Sequence, residues 1–332
     1  MLLDIGVRII GVPLSLLGFR LLFHRRLPND LRSPSGIMPR PTDALIYLTM
    51  DNAKTIISVL KAVQFRDLAT IFATSNGLKV TVEDAKCIQG NAFLHSDLFR
   101  EYHLGRDVIS FKTNVSVVID CLSIFGTSNQ ASTTSLILTY QDFGCTLDLI
   151  LEENGVVAEC NIKTMEAFEI LDFDFSSSTS PDKVIIKSDC IREAFSELDM
   201  SSEILELGLL PAPAAQPRLR LTTYGSSGTT HFDLPRSSDQ VEVFEVRPGH
   251  PRLARYRLSL LRPAINRALT LATRISIRIN ERGFLSMQHM INLLDGQVAF
   301  VEFFDDCLKV HMASSKAVTQ STQLDCVANP YK

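Results

Sequence analysis

Several signatures are missing from this 332-residue chain, and each absence narrows what it can be. No C-x-x-C pair occurs: Cys87, Cys121, Cys145, Cys160, Cys190, Cys307 and Cys326 are scattered and odd in number. That removes the usual zinc and dithiol redox spacings and reads as reduced thiols filling strand and helix faces. The seven histidines are equally dispersed, so no metal site is visible and no cofactor is implied. No Ser/His/Asp grouping and no phosphate-cradling Gly-rich loop appears. Positive charge is not in excess either, the formal net charge being -4. This excludes a surface coated in basic residues but not a local basic face, because contact with nucleic acid depends on where charge sits. The most apolar run, residues 2–23, is interrupted by Asp4, Arg8 and Arg20. A charge at the centre of a membrane span costs about 2.5–3.5 kcal/mol, so no membrane partner is expected. A secretory signal would place its positive charge before the apolar core and end at a small-residue cleavage site; neither is clear. The basic, Pro-rich stretch that follows reads as linker. Residues 1–37 are expected to be a disordered extension or a mis-called start outside the fold, with Met38 a more ordinary beginning.

What is present is a chain of about two domains' length, 45% hydrophobic and 21% charged, able to bury a sizeable core. Its clearest unit is Ala69–Asp84, where apolar and polar residues alternate on either side of Asn76-Gly77. Alternation of this kind marks strands with one buried face, and Asn-Gly accepts the positive φ of a tight hairpin turn. A similar unit returns at Arg218–Leu234. Other elements follow the same rhythm. A strand at Ala44–Met50 leads through Asp51-Asn52, a capping pair, into an amphipathic helix with Ile56, Ile57, Leu60 and Val63 on one face. Asn114 caps a second helix that Gly126 stops. In the second half, Ser188 or Asp189 is expected to cap the helix carrying Ile191, Phe195 and Leu198. A strand at Arg255–Leu260 and a helix starting near Pro263 are expected to follow. Strand pairs turn at Asn154-Gly155 and Asp295-Gly296. Between the halves, residues 166–183 alternate aromatic and acidic side chains and then run into serines and a proline, the composition of an exposed connector. The expected organisation is α+β, with duplicated domains at 38–165 and 184–307, a connector at 166–183 and a flexible tail at 308–332.

This plan, with its long acidic connector, is similar to the eukaryotic sliding-clamp fold of proliferating cell nuclear antigen. The stretches FATSNGLKVTVEDAKCIQGNAF, VIDCLSIFG, LEENGVVAECNI, LDFDF, IREAFSELDMSSEIL and GFLSMQHMI resemble the Rad-one subunit family of the heterotrimeric nine-one-one checkpoint clamp. The resemblance runs from about Ala44 to Asp305. It implies a nuclear, non-catalytic subunit of a ring around double-stranded DNA, with antiparallel sheets outside and helices lining a central hole. The implied partners are two other clamp subunits, a clamp loader and repair enzymes that bring peptide motifs. A self-assembling replicative clamp is the alternative within that class.

A clamp of this kind holds phosphates by long-range attraction without reading bases. The candidates on the expected lining helices are Lys54, Lys61, Arg192 and Arg267. Lys54 and Lys61 stand two helical turns apart on one face, although a lysine on a polar helix face is equally a solvated side chain. The second helix offers only Asp120, so positive charge around the hole is expected to be asymmetric. A denser basic set, Arg252 to Arg282, is not assigned to DNA, since its alternation also marks the solvent face of strands. On the connector, Ile170, Leu171, Phe173 and Phe175 are more apolar than a linker requires. They are candidates for anchoring partner peptides or for pinning the connector to its own sheet. A 3′-to-5′ exonuclease, at times credited to the family, would need carboxylates converging on paired metal ions. Asp172 and Asp174 have a suitable spacing but sit in the connector, which would hold metal geometry poorly. Glu152-Glu153 and Asp305-Asp306 would point to opposite strand faces.

Overall fold

The computed structural model describes residues 43–126, 133–167, 170, 175, 182–199, 201–211, 216–294 and 296–306. The first half runs β1 (Ile46–Met50), α1 (Lys54–Val63), β2 (Leu68–Thr74), β3 (Gly77–Asp84), β4 (Ile88–His95), β5 (Glu101–Leu104), β6 (Val108–Asn114), α2 (Val115–Leu122), β7 (Ser135–Tyr140), β8 (Leu147–Glu153) and β9 (Val156–Ile162). A short strand, β10 (Thr164–Met165), follows. The second half repeats the order: β11 (Asp182–Lys187), α3 (Ser188–Glu197), β12 (Ile204–Leu210), β13 (Arg218–Gly225), β14 (Gly228–Pro235), β15 (Val241–Glu245), β16 (Arg252–Arg257), α4 (Leu258–Leu271), β17 (Ala272–Ile279), β18 (Leu285–Asn292) and β19 (Val298–Asp305). Apart from β10, the second half matches the first element by element, so the chain is duplicated as expected. The two glycine hairpins are nevertheless not each other's counterparts. Ala69–Asp84 forms β2–β3, which corresponds to β12–β13, and Arg218–Leu234 forms β13–β14, which corresponds to β3–β4.

The pairing repeats as well. In the first half β1 lies between β5 and β7, and β2 between β3 and β6; in the second β11 lies between β15 and β17, and β12 between β13 and β16. Every pair is antiparallel. What joins the halves is a pairing between β4 and β19, which fuses one sheet of each half into a ten-stranded sheet. Inward residues at this joint, Ala92, Val301 and Phe303, are buried. Gly90 has no side chain because Phe303 needs the room: a Cβ there would stand 2.9 Å from the Phe303 ring. Phe303 packs in turn on Phe65, with ring centroids 6.1 Å apart. A five-stranded sheet ending at β9 and a four-stranded sheet ending at β14 complete the architecture.

Local chemistry explains most boundaries. Asn114 Oδ1 accepts from the Val117 amide at 3.1 Å and caps α2, while Asn52 Oδ1 accepts from the Lys54 amide ahead of α1. The opening hairpin forms where Asn76-Gly77 places it, with Thr74 opposite Gly77. Gly77 has φ +136° and sits against β4, where a Cβ would meet the Leu94 carbonyl oxygen at 2.1 Å. Its glycine is therefore demanded by the neighbouring strand as well as by the turn. Two expectations are corrected. Helix α4 begins at Leu258, so Ser259 and Leu260 are helical and the strand before it ends at Arg257. Pro263 lies inside that helix on its exposed side, where the carbonyl left without an N–H donor can be satisfied by water. Ser188 does not cap α3: its hydroxyl donates to the Leu269 carbonyl near the end of α4 at 2.9 Å, tying two helices together. Asp189, in the first turn of α3, supplies the favourable charge instead.

Candidate DNA-facing surface and connector

The four helices lie side by side in the order α2, α1, α4, α3, with α1 against α4 where the halves meet. Each buries an apolar stripe on the sheets. In α1, Ile56, Ile57, Leu60 and Val63 are buried, which leaves Ser58 and Lys61 toward the open face. The four predicted cations fare differently. Lys61 is half-buried at the last turn of α1. Lys54 is only 9% exposed, so it does not share the open face with Lys61 despite the seven-residue spacing. A helical side chain leans toward its own N-terminus, and in the first turn that direction leads back over the strand-to-helix turn. Arg192 is engaged by Asp189, one turn earlier, at 2.8 Å. Arg267, exposed on α4, donates from Nη1 to Gln64 Oε1 at the end of α1. Gln64 Nε2 donates to Ser116 Oγ on α2 at 2.6 Å, and Ser116 donates to Asp67 at 2.7 Å. Three helices and both halves are thus linked by one chain of polar contacts. Gln64 and Ser116 carry no motif that a sequence reading would single out.

Charge on this surface is uneven. Asp189, Glu193 and Glu197 are exposed on α3 and Asp120 on α2. Lys61 lies on α1 and Arg267 on α4, the two central helices that touch each other. Four members of the denser basic set face carboxylates instead. Arg252 pairs with Asp182 at 2.7 Å, Arg255 with Glu206 at 2.7 Å and Arg274 with Glu242 at 2.8 Å; Arg278 pairs with Glu302. Only Arg255–Glu206 joins directly paired strands. Arg274–Glu242 and Arg278–Glu302 each reach across one intervening strand, and Arg252–Asp182 ties β16 to a strand of the ten-stranded sheet. The same pattern holds Asp233 below the usual carboxylate range, through its hydrogen bonds to Arg220.

Comparison with known proteins follows this geometry closely. The family model for the repair proteins Rad1/Rec1/Rad17 matches residues 45–291. The chain belongs to this family. Among curated proteins, human "Cell cycle checkpoint protein RAD1" is 46% identical over 260 residues, covering 78% of this chain and 90% of the human protein. Among solved structures, proliferating cellular nuclear antigen from Entamoeba histolytica aligns with a TM-score of 0.62 at 16% identity, over 80% of this chain and 99% of that one. The Rad1-family chain therefore has the sliding-clamp fold. "DNA repair exonuclease REC1" of Mycosarcoma maydis is 26% identical over 191 residues, 49% of this chain and 41% of that protein.

In this Rad1-family chain the connector leaves β10 at one edge of the ten-stranded sheet and re-enters at β11 near the other. Phe175 sits on the sheet face away from the helices, with the Arg278 guanidinium 5.3 Å from its ring centroid and Phe304 at 5.9 Å. Arg278 is itself held by Glu302 and Ser286. Phe175 thus pins the connector to the sheet, and Ile170 is half-buried; Leu171 and Phe173 lie outside the described residues. On the same face Phe93 and Phe300 stand opposite each other across the β4–β19 joint, 42% and 41% exposed. Both are outward members of alternating strands.

Asp172 and Asp174 also lie outside the described residues. The other acidic pairs diverge as alternation demands. Glu153 accepts a hydrogen bond from Thr134 while Glu152 is exposed, and Asp305 is buried while Asp306 is half-exposed. Among the described residues no group of three His, Cys, Asp or Glu side chains could hold a metal ion.

Proposed function

We infer that this chain is a non-catalytic subunit of a heterotrimeric checkpoint clamp that encircles double-stranded DNA in the nucleus, without reading its sequence. The observation that carries this is the β4–β19 joint. In the duplicated plan β4 corresponds to β14 and β19 to β9. Each of the latter lies at the edge of its sheet with one side unpaired among the described residues. A neighbouring subunit supplying the matching edge would reproduce the internal joint between chains. A head-to-tail contact of that kind closes into a ring when its rotation divides a full turn. The helices of every half then face the same hole. Long unpaired edges are a liability in a protein that stays alone, which supports a neighbour in use.

A dedicated loader would open and close this ring. The connector candidates Ile170, Leu171, Phe173 and Phe175, together with the exposed Phe93 and Phe300 on the sheet, form the surface we assign to peptide motifs of repair enzymes. Lys61 and Arg267 are the phosphate-facing groups; Arg192 is spoken for by Asp189, and Lys54 would first have to leave its buried place.

The test is native mass of the chain alone and after co-expression with the two other checkpoint-clamp subunits. A one-to-one-to-one complex is expected, lost on Thr229→Pro in β14, whose N–H faces the open edge, while the variant chain keeps its circular dichroism. A stable homotrimer would indicate a self-sufficient replicative clamp, and monomer in both samples would overturn the ring. The exonuclease reading, which rests on the name of one distant relative, predicts magnesium-dependent digestion from a DNA 3′ end that Asp172→Ala and Asp174→Ala abolish.

A further inference from the structure

We propose that the phosphodiester backbone of duplex DNA is held at the seam between the two halves, by Lys61 and Arg267, and that Gln64 is the residue that positions Arg267 for it. This rests on the clamp reading above. The usual expectation for a ring of helices is charge spread evenly along all of them; the surface of this chain is arranged otherwise. Its α3 flank carries exposed Glu193 and Glu197, and the arginine there, Arg192, is already neutralised by Asp189. A polyanion is repelled from that flank and attracted to the centre, where α1 contributes Lys61 and α4 contributes Arg267.

Gln64 stands where these two helices meet. It caps the C-terminal end of α1 three residues after Lys61, and its amide oxygen takes a hydrogen bond from Arg267 Nη1. Its amide nitrogen is anchored on Ser116, which is anchored on Asp67. The guanidinium is consequently held on an exposed surface by one of its N–H groups, with the rest of the fork left for an incoming oxygen anion. A long side chain normally loses rotamer freedom on contact with phosphate. Arg267 has already lost much of it to Gln64, so contact costs less. A neutral amide does this without competing charge; a carboxylate at the same place would bind the guanidinium and cancel it.

The experiment is equilibrium binding of the assembled heterotrimer to a fluorescent duplex across a potassium chloride series, with the full-length chain as wild type and variants. Each phosphate contact contributes about 0.9 to the slope of log affinity against log salt. Arg267→Gln and Lys61→Gln are each expected to reduce the slope by about that amount, and Arg192→Gln to leave it unchanged. Gln64→Ala is expected to weaken binding about threefold to tenfold when Arg267 is present and to have almost no effect in the Arg267→Gln background. Glu193→Gln is expected to tighten binding. Equal weakening by Gln64→Ala in both backgrounds would mean that Gln64 only supports the fold, and would overturn its positioning role. Slopes unmoved by Arg267→Gln and Lys61→Gln, in a trimer that still binds DNA, would overturn the seam while leaving the ring intact. A wild-type trimer that shows no salt-dependent DNA binding would overturn both. Melting temperatures of the variants separate loss of contact from loss of fold.

Discussion

Asp305 offers the sharpest test of how the joint between the halves is built. In the first half the equivalent position, at the end of β9, is Ile162, buried like any core residue. Asp305 takes that inward place at the end of β19, where it is 2% exposed, and its Oδ2 has no hydrogen-bond partner among the described residues. Burial, with some help from neighbouring Asp306, pushes its pKa up to about 8, and Arg257 only partly opposes this. An unfolded carboxyl titrates near 4. Between about pH 4 and pH 8 the folded chain therefore holds a proton that the unfolded chain releases, so stability falls as pH rises through that window. At about 1.4 kcal/mol per pH unit, the loss approaches roughly 5 kcal/mol as an upper bound. That is a large part of the 5–15 kcal/mol of an ordinary domain. Asp305→Asn keeps the shape of the protonated acid and cannot ionise. Denaturant midpoints for wild type and variant, measured from pH 4 to pH 9, should nearly coincide at pH 4 and separate steadily, with the variant the more stable at pH 8.5. Parallel curves would refute the reasoning and mean that the carboxylate is solvated or paired. Cys87, whose thiol is pushed up by burial and by the nearby Asp305 charge, should react faster with a thiol reagent in the variant above about pH 8, where Asp305 is ionised, and at the same rate well below it.

Other positions make different demands. His289 is fully buried on β18, edge-on to Phe303 at 5.3 Å, and burial lowers its pKa to about 4. The unfolded imidazole titrates near 6.5, so stability should be lost as pH falls from 6.5 toward 4, a slope that His289→Leu removes in the same denaturation series. Gly77→Ala combines a positive φ with a Cβ driven into the Leu94 carbonyl and should cost about 2–4 kcal/mol. Gly155→Ala, with open space at its Cβ, should cost only the conformational penalty of about 1 kcal/mol; equal midpoint shifts would contradict the close approach of β4. Phe175→Ala removes the ring against Arg278 and Phe304 and should speed limited proteolysis between residues 166 and 181 without changing the melting temperature.

The duplication and the α+β class were legible in the chain because both rest on local chemistry. Period-two alternation, glycine turns and asparagine caps act within a few residues of themselves, and they mark Ala69–Asp84, Arg218–Leu234 and Asn114 without reference to anything distant. The same locality misled at Arg255–Leu260, where alternating residues resembled strand and Pro263 resembled a helix start. The register of β16 on β12 ends at Arg257, and α4 takes over because Leu258 and Leu261 have a core to enter. The candidate cations do fall on α1, α3 and α4, yet the sequence could not sort them. Whether a basic side chain faces open space, a carboxylate or the protein interior depends on elements far along the chain, as Lys54, Arg192 and Arg267 each illustrate. Arg252, Arg255, Arg274 and Arg278 received carboxylate partners from residues 24 to 70 positions away. Gln64, unremarkable in sequence, gained its place from an α4 residue 203 positions later. By itself the sequence determined which elements form and that they form twice, through interactions that span a turn or a hairpin. The tertiary structure decided which edges pair at β4–β19, which edges stay open at β9 and β14, and where net positive charge remains, because those depend on contacts that exist only once the two halves meet.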